Sequence, residues 1–444
     1  MRLLVVGGGG REHALALALL ADDPAHQLYV APGNPGTAPF ATNLPIAADD
    51  IDRLADAVDA HAIDLVVVGP EVPLALGLAD RLRAEGRTVF GPVAAAAQIE
   101  ASKAFSKDVM LAAGVPTAAS ATFDDLAAAL AYVDTHAEPL VVKASGLAAG
   151  KGAVVCATRA EAREALQAMM GAHQLGTAGD VVVIEAFLEG EELSVLAVTN
   201  GREVRILPPA QDHKRIGEGD TGPNTGGMGA YTPVAIATPE AMARIEREVL
   251  LPTLRELERR GAPFRGVLYA GIMLHPDGTP NVVEFNCRLG DPETEVVLPL
   301  VRSGLTALFD AAAKGEPLPA LDLRTDAAVT TVLASAGYPE SSRKGDVITI
   351  PADLPEGVTV YHAGTARRDD GMLVTNGGRV LAVTAVAPTF AEAQARSRAA
   401  AEAITFAGKQ YRRDIGWREA QRSDGSSSTR SQQVGHEGEG ITVT

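Results

Sequence analysis

An apolar run over residues 3–6 breaks into Gly7-Gly8-Gly9-Gly10 and resumes as an alanine- and leucine-rich run over 11–20, a pattern that reads as strand, tight turn and helix. Short apolar runs at 28–30, 65–68 and 88–90 then alternate with helix-like stretches at 51–61 and 74–83. Strands alternating with helices predict an α/β unit with a doubly wound parallel sheet. Gly7-x-Gly9 would begin a dinucleotide fingerprint, but the third glycine position is Glu12, whose carboxylate would face the pyrophosphate. The glycines are expected instead to offer backbone N–H groups and a helix N-terminus to one phosphate.

With 444 residues, 46% of them hydrophobic, the chain has material for about three domains. Gly91-Pro92 ends the first, and a helix over 94–113 leads to the next. Residues 121–194 carry a compact α+β pattern: helices at 126–135 and 159–170, strands at 140–143, 153–156 and 181–185. This unit is expected to be a small lid. Its hairpin tip, Lys143-Ala-Ser-Gly-Leu-Ala-Ala-Gly-Lys-Gly152, is glycine-rich with lysines near both ends. It is not a Walker A loop, because Ser145 stands where that motif needs glycine and Gly152 where it needs Ser or Thr. Its glycines let the backbone close on phosphates that Lys143 and Lys151 neutralise; a solvated hairpin turn is the alternative.

Residues 211–231 hold six glycines and the triplet His213-Lys214-Arg215, with almost no apolar content, and are expected to form a long active-site loop. A helix over 239–260 follows. Beyond 326 the pattern is β-rich, with strands at 328–335, 346–350, 359–361 and 379–384 and a helix at 390–407, a third domain. Residues 421–444 have the composition of a disordered tail.

A formal charge of −17 argues against nucleic acid or an anionic membrane as partner, so any phosphate site must be local. The two cysteines, Cys156 and Cys287, make neither a disulfide framework nor a zinc spacing, which fits a reducing, cytoplasmic setting. Neither a signal peptide nor a membrane span is expected.

The densest chemistry follows a predicted hairpin: a β-rich run over 267–274, a turn at His275-Pro276-Asp277-Gly278, and a return strand from Val282. Glu284, Asn286 and Arg288 alternate along that strand, so they share one face. A carboxylate, an amide oxygen and a guanidinium side by side suit a hard cation next to a phosphate. The competing reading is a half-buried strand with its polar face in water.

GGREHA at 9–14, GPE at 69–71, KASGLAAGKG at 143–152, QDHKR and TGPNTGGMGAY in the long loop, and NCRLGDPETE at 286–295 together resemble the phosphoribosylamine–glycine ligase family of ATP-grasp enzymes in purine biosynthesis. The similarity runs in order from residue 2 to about residue 417. It implies an N-terminal doubly wound domain (1–102), an ATP-grasp domain (103–325) whose lid spans about 121–194, and a C-terminal β-rich α+β domain (326–420).

The reaction implied joins glycine to 5-phosphoribosylamine through glycyl phosphate, with ATP as phosphoryl donor. The resemblance assigns Lys103, Lys143, Gly150, Lys151 and Gly152 to the ATP phosphates. It assigns Glu185, Phe187 and Leu188 to an adenine-binding hinge, Glu191 to the ribose, and Glu284 and Asn286 to Mg²⁺ or Mn²⁺. Arg288, Lys143 and Asp291 are the implied catalytic residues. Gly9, Gly10, Arg11, Glu12, Glu71, Lys214, Arg288 and Asp291 are the implied contacts for phosphoribosylamine, and the enzyme is expected to be a monomer. Ser145, Ala186 and Glu295 stand where the family commonly has Asp, Glu and Gln. The strand before Glu284 lacks an acidic residue, so Glu284 is expected to carry most of the metal coordination. A ligase for another carboxylate and amine, or a non-catalytic nucleotide-binding protein, are the alternatives; the latter would not need intact metal ligands.

Overall fold

The structure, a computed structural model, describes residues 1–148, 150 and 152–422. The N-terminal sheet is parallel throughout, in the order Thr42–Asn43, Gln27–Pro32, Arg2–Gly7, Leu65–Val68, Val89–Phe90. Its central strand is buried on both faces: Leu4 and Val6 enter one apolar cluster, Leu3 and Val5 another. That is the period-two consequence of helices covering both sides of a doubly wound sheet.

Both clusters run on into a four-stranded antiparallel sheet, ordered Val204–Ile206, Glu191–Thr199, Gly266–Leu274, Pro280–Asn286. Val195 and Ala197 join the Leu4 cluster, while Leu196 and Val198 join the Leu3 cluster. Phe90 stacks on Phe309 with ring centroids 4.1 Å apart, tying the edge of the first sheet to the helix Leu305–Lys314. The parallel sheet and the central sheet therefore share their cores.

The segment read as a lid has a sheet of its own, Ser120–Phe123, Val182–Ala186, Leu140–Ala144, Ala153–Cys156, and a separate core that includes Val133, Val142, Leu166 and Ile184. Its second helix, Arg159–Leu166, continues as a π-turn to Gly171.

Several expected elements differ from those observed. The helix expected over 94–113 is two helices, Ala94–Ala101 and Lys103–Ala113, because Ser102 leaves helical geometry and caps the second by accepting the Phe105 N–H. The break puts Lys103 at the first position of a helix. Likewise the stretch 74–83 divides into Glu71–Ala75 and Leu78–Ala84 around Gly77, whose φ of +89° favours glycine.

Most consequentially, the stretch 211–231 is not an open loop. Gln211–Asp212 and Gly229–Thr232 are strands, and between them Arg215–Gly217 pairs with Thr221–Asn224. The outer pair forms one end of the C-terminal sheet, ordered Gln211–Asp212, Gly229–Thr232, Ala327–Ala334, Arg379–Ala387, Val358–His362. The strand expected at 346–350 is only two isolated bridges, Val347 with Val374 and Thr349 with Thr405. Of the expected tail, Gln421 and Arg422 are helical and Arg422 is paired with Glu191; residues 423–444 lie outside the described residues. Among the described residues no helix is long and apolar enough to cross a membrane.

Candidate active site

A cleft of about 850 Å³ opens where the ends of the parallel strands, the lid, the central sheet and the C-terminal sheet meet. The strand Pro280–Asn286 runs into it. Glu284, Asn286 and Arg288 all line the cleft, while Cys287 is buried in the core and Phe285, also buried, borders both, so the polar face serves an enclosed cavity rather than an open edge.

Arg288 is fixed from behind. Its Nη2 donates to Glu100 Oε1 at 2.7 Å and its Nε to Glu71 Oε2 at 3.3 Å. Burial opposes the charge on Arg288, but Glu100 and Glu71 reverse that effect and leave its pKa above the ordinary arginine value. Glu100 also accepts the Cys287 N–H at 2.7 Å. The sequence did not single out Glu100, a lone acid in an alanine-rich helix with no local motif.

Four lysines approach from other elements. Lys143 Nζ donates to Val283 O at 2.9 Å and lies 2.8 Å from Glu185 Oε2; Lys107 Nζ is 3.0 Å from the other Glu185 oxygen. The Glu185 side chain is thus spent on a buried double ion pair that aims Lys143, a role the sequence reading did not give it. Lys103, lowered in pKa by burial with Glu284 acting against that shift, reaches toward Gly146 O at 3.5 Å, at the base of the glycine-rich loop. Lys214 Nζ sits 2.7 Å from Glu192 Oε2.

Burial alone would raise the Glu284 pKa, but Lys214, Lys143, Lys103 and Arg288 more than offset this, so the group is a carboxylate at neutral pH. Neither Glu284 nor Asn286 uses its side chain in a hydrogen bond among the described residues. Both are free to ligate. No group of three or more His, Cys, Asp or Glu is arranged for a metal among the described residues, so a cation here would have two protein ligands. Mg²⁺ is commonly held in this way, by one or two side chains with substrate phosphates and water completing the octahedron.

Other expected residues fall in place around the same cleft. Arg11, Glu71, Gly150, Gly152, Phe187, Leu188, Glu191 and Asp291 line it. Gly150, at the loop tip, approaches the Thr225 carbonyl: a Cβ there would lie 3.6 Å from it. Lys151 lies outside the described residues. Glu191 is engaged by Arg422 Nη2 at 2.5 Å.

Gly9, Gly10 and Glu12 lie behind the residues that line the cleft, and a Cβ on Gly9 would stand 3.8 Å from Asp291 Oδ2, which does line it. Glu12 folds back under the turn, where its Oε2 accepts the Gly9 N–H at 2.7 Å and its Oε1 takes the Arg11 Nε–H at 2.5 Å. A Cβ on Gly69 would stand 2.1 Å from Glu12 Oε1, so that glycine is required for the carboxylate to fit. The charge that argued against a dinucleotide is consumed internally.

Arg379, from the C-terminal sheet, was also missed. Its Nη1 lies 3.0 Å from Asp291 Oδ1, donates to Asp291 O at 2.9 Å, and bonds the Gly226 carbonyl. No motif marks it, since it follows a Gly-Gly turn that reads as a hairpin corner.

Comparison with known proteins gives a consistent result. The N domain of phosphoribosylglycinamide synthetase matches residues 1–100, its ATP-grasp (A) domain residues 101–294 and its C domain residues 328–418. A phosphoribosylamine–glycine ligase from Nostoc is 51% identical over 424 residues, covering 94% of this chain and 99% of the relative; one from Ralstonia nicotianae is 48% identical over 427 residues, covering 95% and 100%. The crystal structure of the Thermotoga maritima phosphoribosylamine–glycine ligase superposes with a TM-score of 0.82 at 36% identity, covering 94% of this chain and all of that one. The biotin carboxylase domain of a Hydrogenobacter thermophilus 2-oxoglutarate carboxylase, solved with MgADP, shares the fold at a TM-score of 0.69 and 18% identity, over 92% and 91% of the two chains.

Proposed function

The chain belongs to the phosphoribosylglycinamide synthetase family, and from that premise we propose how its residues divide the work of the reaction. It is an ATP-dependent, ADP-forming ligase that joins glycine to phosphoribosylamine in purine biosynthesis. A glycine carboxylate oxygen attacks the γ-phosphorus of ATP, the bond to the β–γ bridging oxygen breaks, and ADP leaves. The amine of 5-phosphoribosylamine then attacks the carbonyl of glycyl phosphate, the C–O bond to phosphate breaks, and the amide forms with release of phosphate and a proton.

The observation that carries the residue assignment is the convergence of Glu284, Asn286 and Arg288 with Lys103 and Lys143 on one cleft. Lys103 and Lys143 neutralise the ATP phosphates, helped by the loop containing Gly150, Lys151 and Gly152, with the lid closing over them. The strand end at Glu185, with Phe187 and Leu188, takes the adenine, and Glu191 takes the ribose once it exchanges Arg422 for a hydroxyl. Glu284 and Asn286 hold Mg²⁺ or Mn²⁺, which would supply charge neutralisation at the transferring phosphate. Arg288, immobilised by Glu71 and Glu100, is pre-aimed at the negative charge that develops on the acyl phosphate. Arg11, Lys214 and Asp291 receive phosphoribosylamine, with Arg379 holding Asp291 in position. The two free, buried cysteines fit a cytoplasmic enzyme, and we take it to act as a monomer.

The test is isotopic. With ATP, Mg²⁺, phosphoribosylamine and glycine labelled with ¹⁸O at both carboxylate oxygens, mass spectrometry should find glycinamide ribonucleotide with one label and inorganic phosphate with the other. Unlabelled phosphate would rule out attack by the glycine carboxylate on ATP.

A further inference from the structure

Glycine reacts at its carboxylate, but it is bound as a zwitterion, and nothing above accounts for its ammonium group. The phosphate face of the cleft is cationic, with Lys103, Lys143 and Arg288 around Glu284, so an ammonium would be repelled there. Beyond Lys214 the balance reverses. Asp212, at the end of the strand Gln211–Asp212, lines the cleft, and neither of its carboxylate oxygens makes a hydrogen bond among the described residues; Oδ1 is also shut off from solvent. Beside it Glu293, 3% exposed, is held rigidly, accepting from Ser194 Oγ at 2.8 Å and Tyr269 OH at 2.9 Å. A buried polar group without a partner costs roughly 1–3 kcal/mol, more if charged, so an open carboxylate in a substrate cleft calls for a ligand.

We propose that Asp212 receives the α-ammonium of glycine, with Glu293 as the fixed second carboxylate beside it, and that this pair makes the enzyme specific for an amino acid. The proposal rests on the ligase reading above. Of the three substrates only glycine brings a cation, since ATP and the ribosyl phosphate are anionic and the attacking amine must be unprotonated. Burial, and after it the proximity of Glu293, push the Asp212 carboxyl well above its usual range, and an arriving ammonium supplies the missing counter-charge. Lys214, ion-paired with Glu192 at 2.7 Å, lines the same cleft as Glu284 and Asp212. Glycine held there would turn its carboxylate toward Glu284 and Arg288, which line the same cleft.

The backbone also fixes the two acids. A Cβ on Gly227, at φ +107°, would lie 2.8 Å from Asp212 Oδ1 and 2.4 Å from Pro292 Cδ, and one on Gly290 would lie 2.4 Å from Glu293 Oε2. With main chain this close behind them, neither carboxylate has room to retreat from a ligand.

The experiment is steady-state kinetics of Asp212→Asn in the full chain. Loss of a charged hydrogen bond of about 1.5–3 kcal/mol should raise KM for glycine roughly 10- to 150-fold. The KM for ATP and the Mg²⁺ dependence should stay within about twofold of wild type, a separation that general misfolding would not produce. The melting temperature should not fall, because an unpartnered acid is removed. An unchanged glycine KM, or equal rises for glycine and ATP, would overturn the proposal; a shift confined to Mg²⁺ dependence would replace it with a metal-binding role. The wild-type enzyme gives a second test that needs no variant. Glycolate, with a hydroxyl in place of the ammonium, should inhibit competitively against glycine with a constant at least about tenfold above the glycine KM. Equal affinity would show that the ammonium is not read. If the wild type makes no glycinamide ribonucleotide, the ligase reading fails first and separately.

Discussion

Glu185 shows how far a residue's role depends on what folding brings to it. In the sequence it is the last acid of a β-rich run and marks a hinge; in the structure its carboxylate is 4% exposed and clasped between Lys107 and Lys143, themselves almost as buried. Removing one partner of such a set leaves charge buried without compensation, at a cost of about 3–5 kcal/mol. Glu185→Gln is therefore expected to lower the urea-unfolding free energy by about that much, and to raise KM for ATP because Lys143 loses its aim. A loss under about 1 kcal/mol would mean that solvent already reaches the pair. Residues legible in the sequence, such as Glu284, Asn286 and Arg288, are those whose neighbours on the chain reveal their direction. Glu100 and Arg379 were not legible, because each meets its partners only through tertiary packing and neither sits in a pattern of its own; Asp212 lies within the QDHKR motif, but nothing local to it shows that its carboxylate is left open in the cleft.

At the scale of elements, strands and helices with strong periodicity were readable, while their interruptions and caps were not. The helix Leu305–Lys314 begins after Gly304, which has no side chain to cap it. Its cap comes from Asp22, at the end of the first helix, whose carboxylate accepts N–H bonds from Gly304 at 2.6 Å, Leu305 at 3.2 Å and Thr306 at 2.9 Å. No local window contains both. Burial would raise the Asp22 pKa, but the bonds from Thr306, Gly304 and Leu305 outweigh it and leave the folded value below the unfolded one. A group depressed in this way contributes stability above its unfolded pKa, about 3.9 for aspartate, and loses it as pH falls through the folded value. Asp22→Asn removes the charge and keeps an acceptor. It should cost about 0.3–1 kcal/mol from pH 7 down to about pH 5, with the difference from wild type closing below about pH 4. A difference that persists at low pH would assign the effect to shape rather than charge.

For the whole molecule, the amino-acid pattern marked three regions but not how they are stitched together. The β-poor, glycine-rich composition of 211–231 hid four strands, the last of which, Gly229–Thr232, owes its regularity to Ala327–Ala334, a neighbour roughly a hundred residues away. The C-terminal sheet thereby enters the cleft, and Arg379 completes it by holding Asp291. Arg379→Ala should leave ATP affinity intact and raise KM for phosphoribosylamine about tenfold or more, the loss expected for one charged hydrogen bond. An effect on ATP alone would move the phosphoribosylamine site elsewhere.

The central claim is that phosphoryl transfer takes place on the face formed by Glu284, Asn286 and Arg288, with Glu284 as the principal protein ligand of the metal. Glu284→Gln keeps the shape of the side chain and removes its charge, so the measurement is turnover across a Mg²⁺ titration beside a thermal melt. The account predicts a kcat lower by roughly a hundredfold or more with the melting temperature preserved. A folded variant with near wild-type turnover at ordinary Mg²⁺ would contradict it.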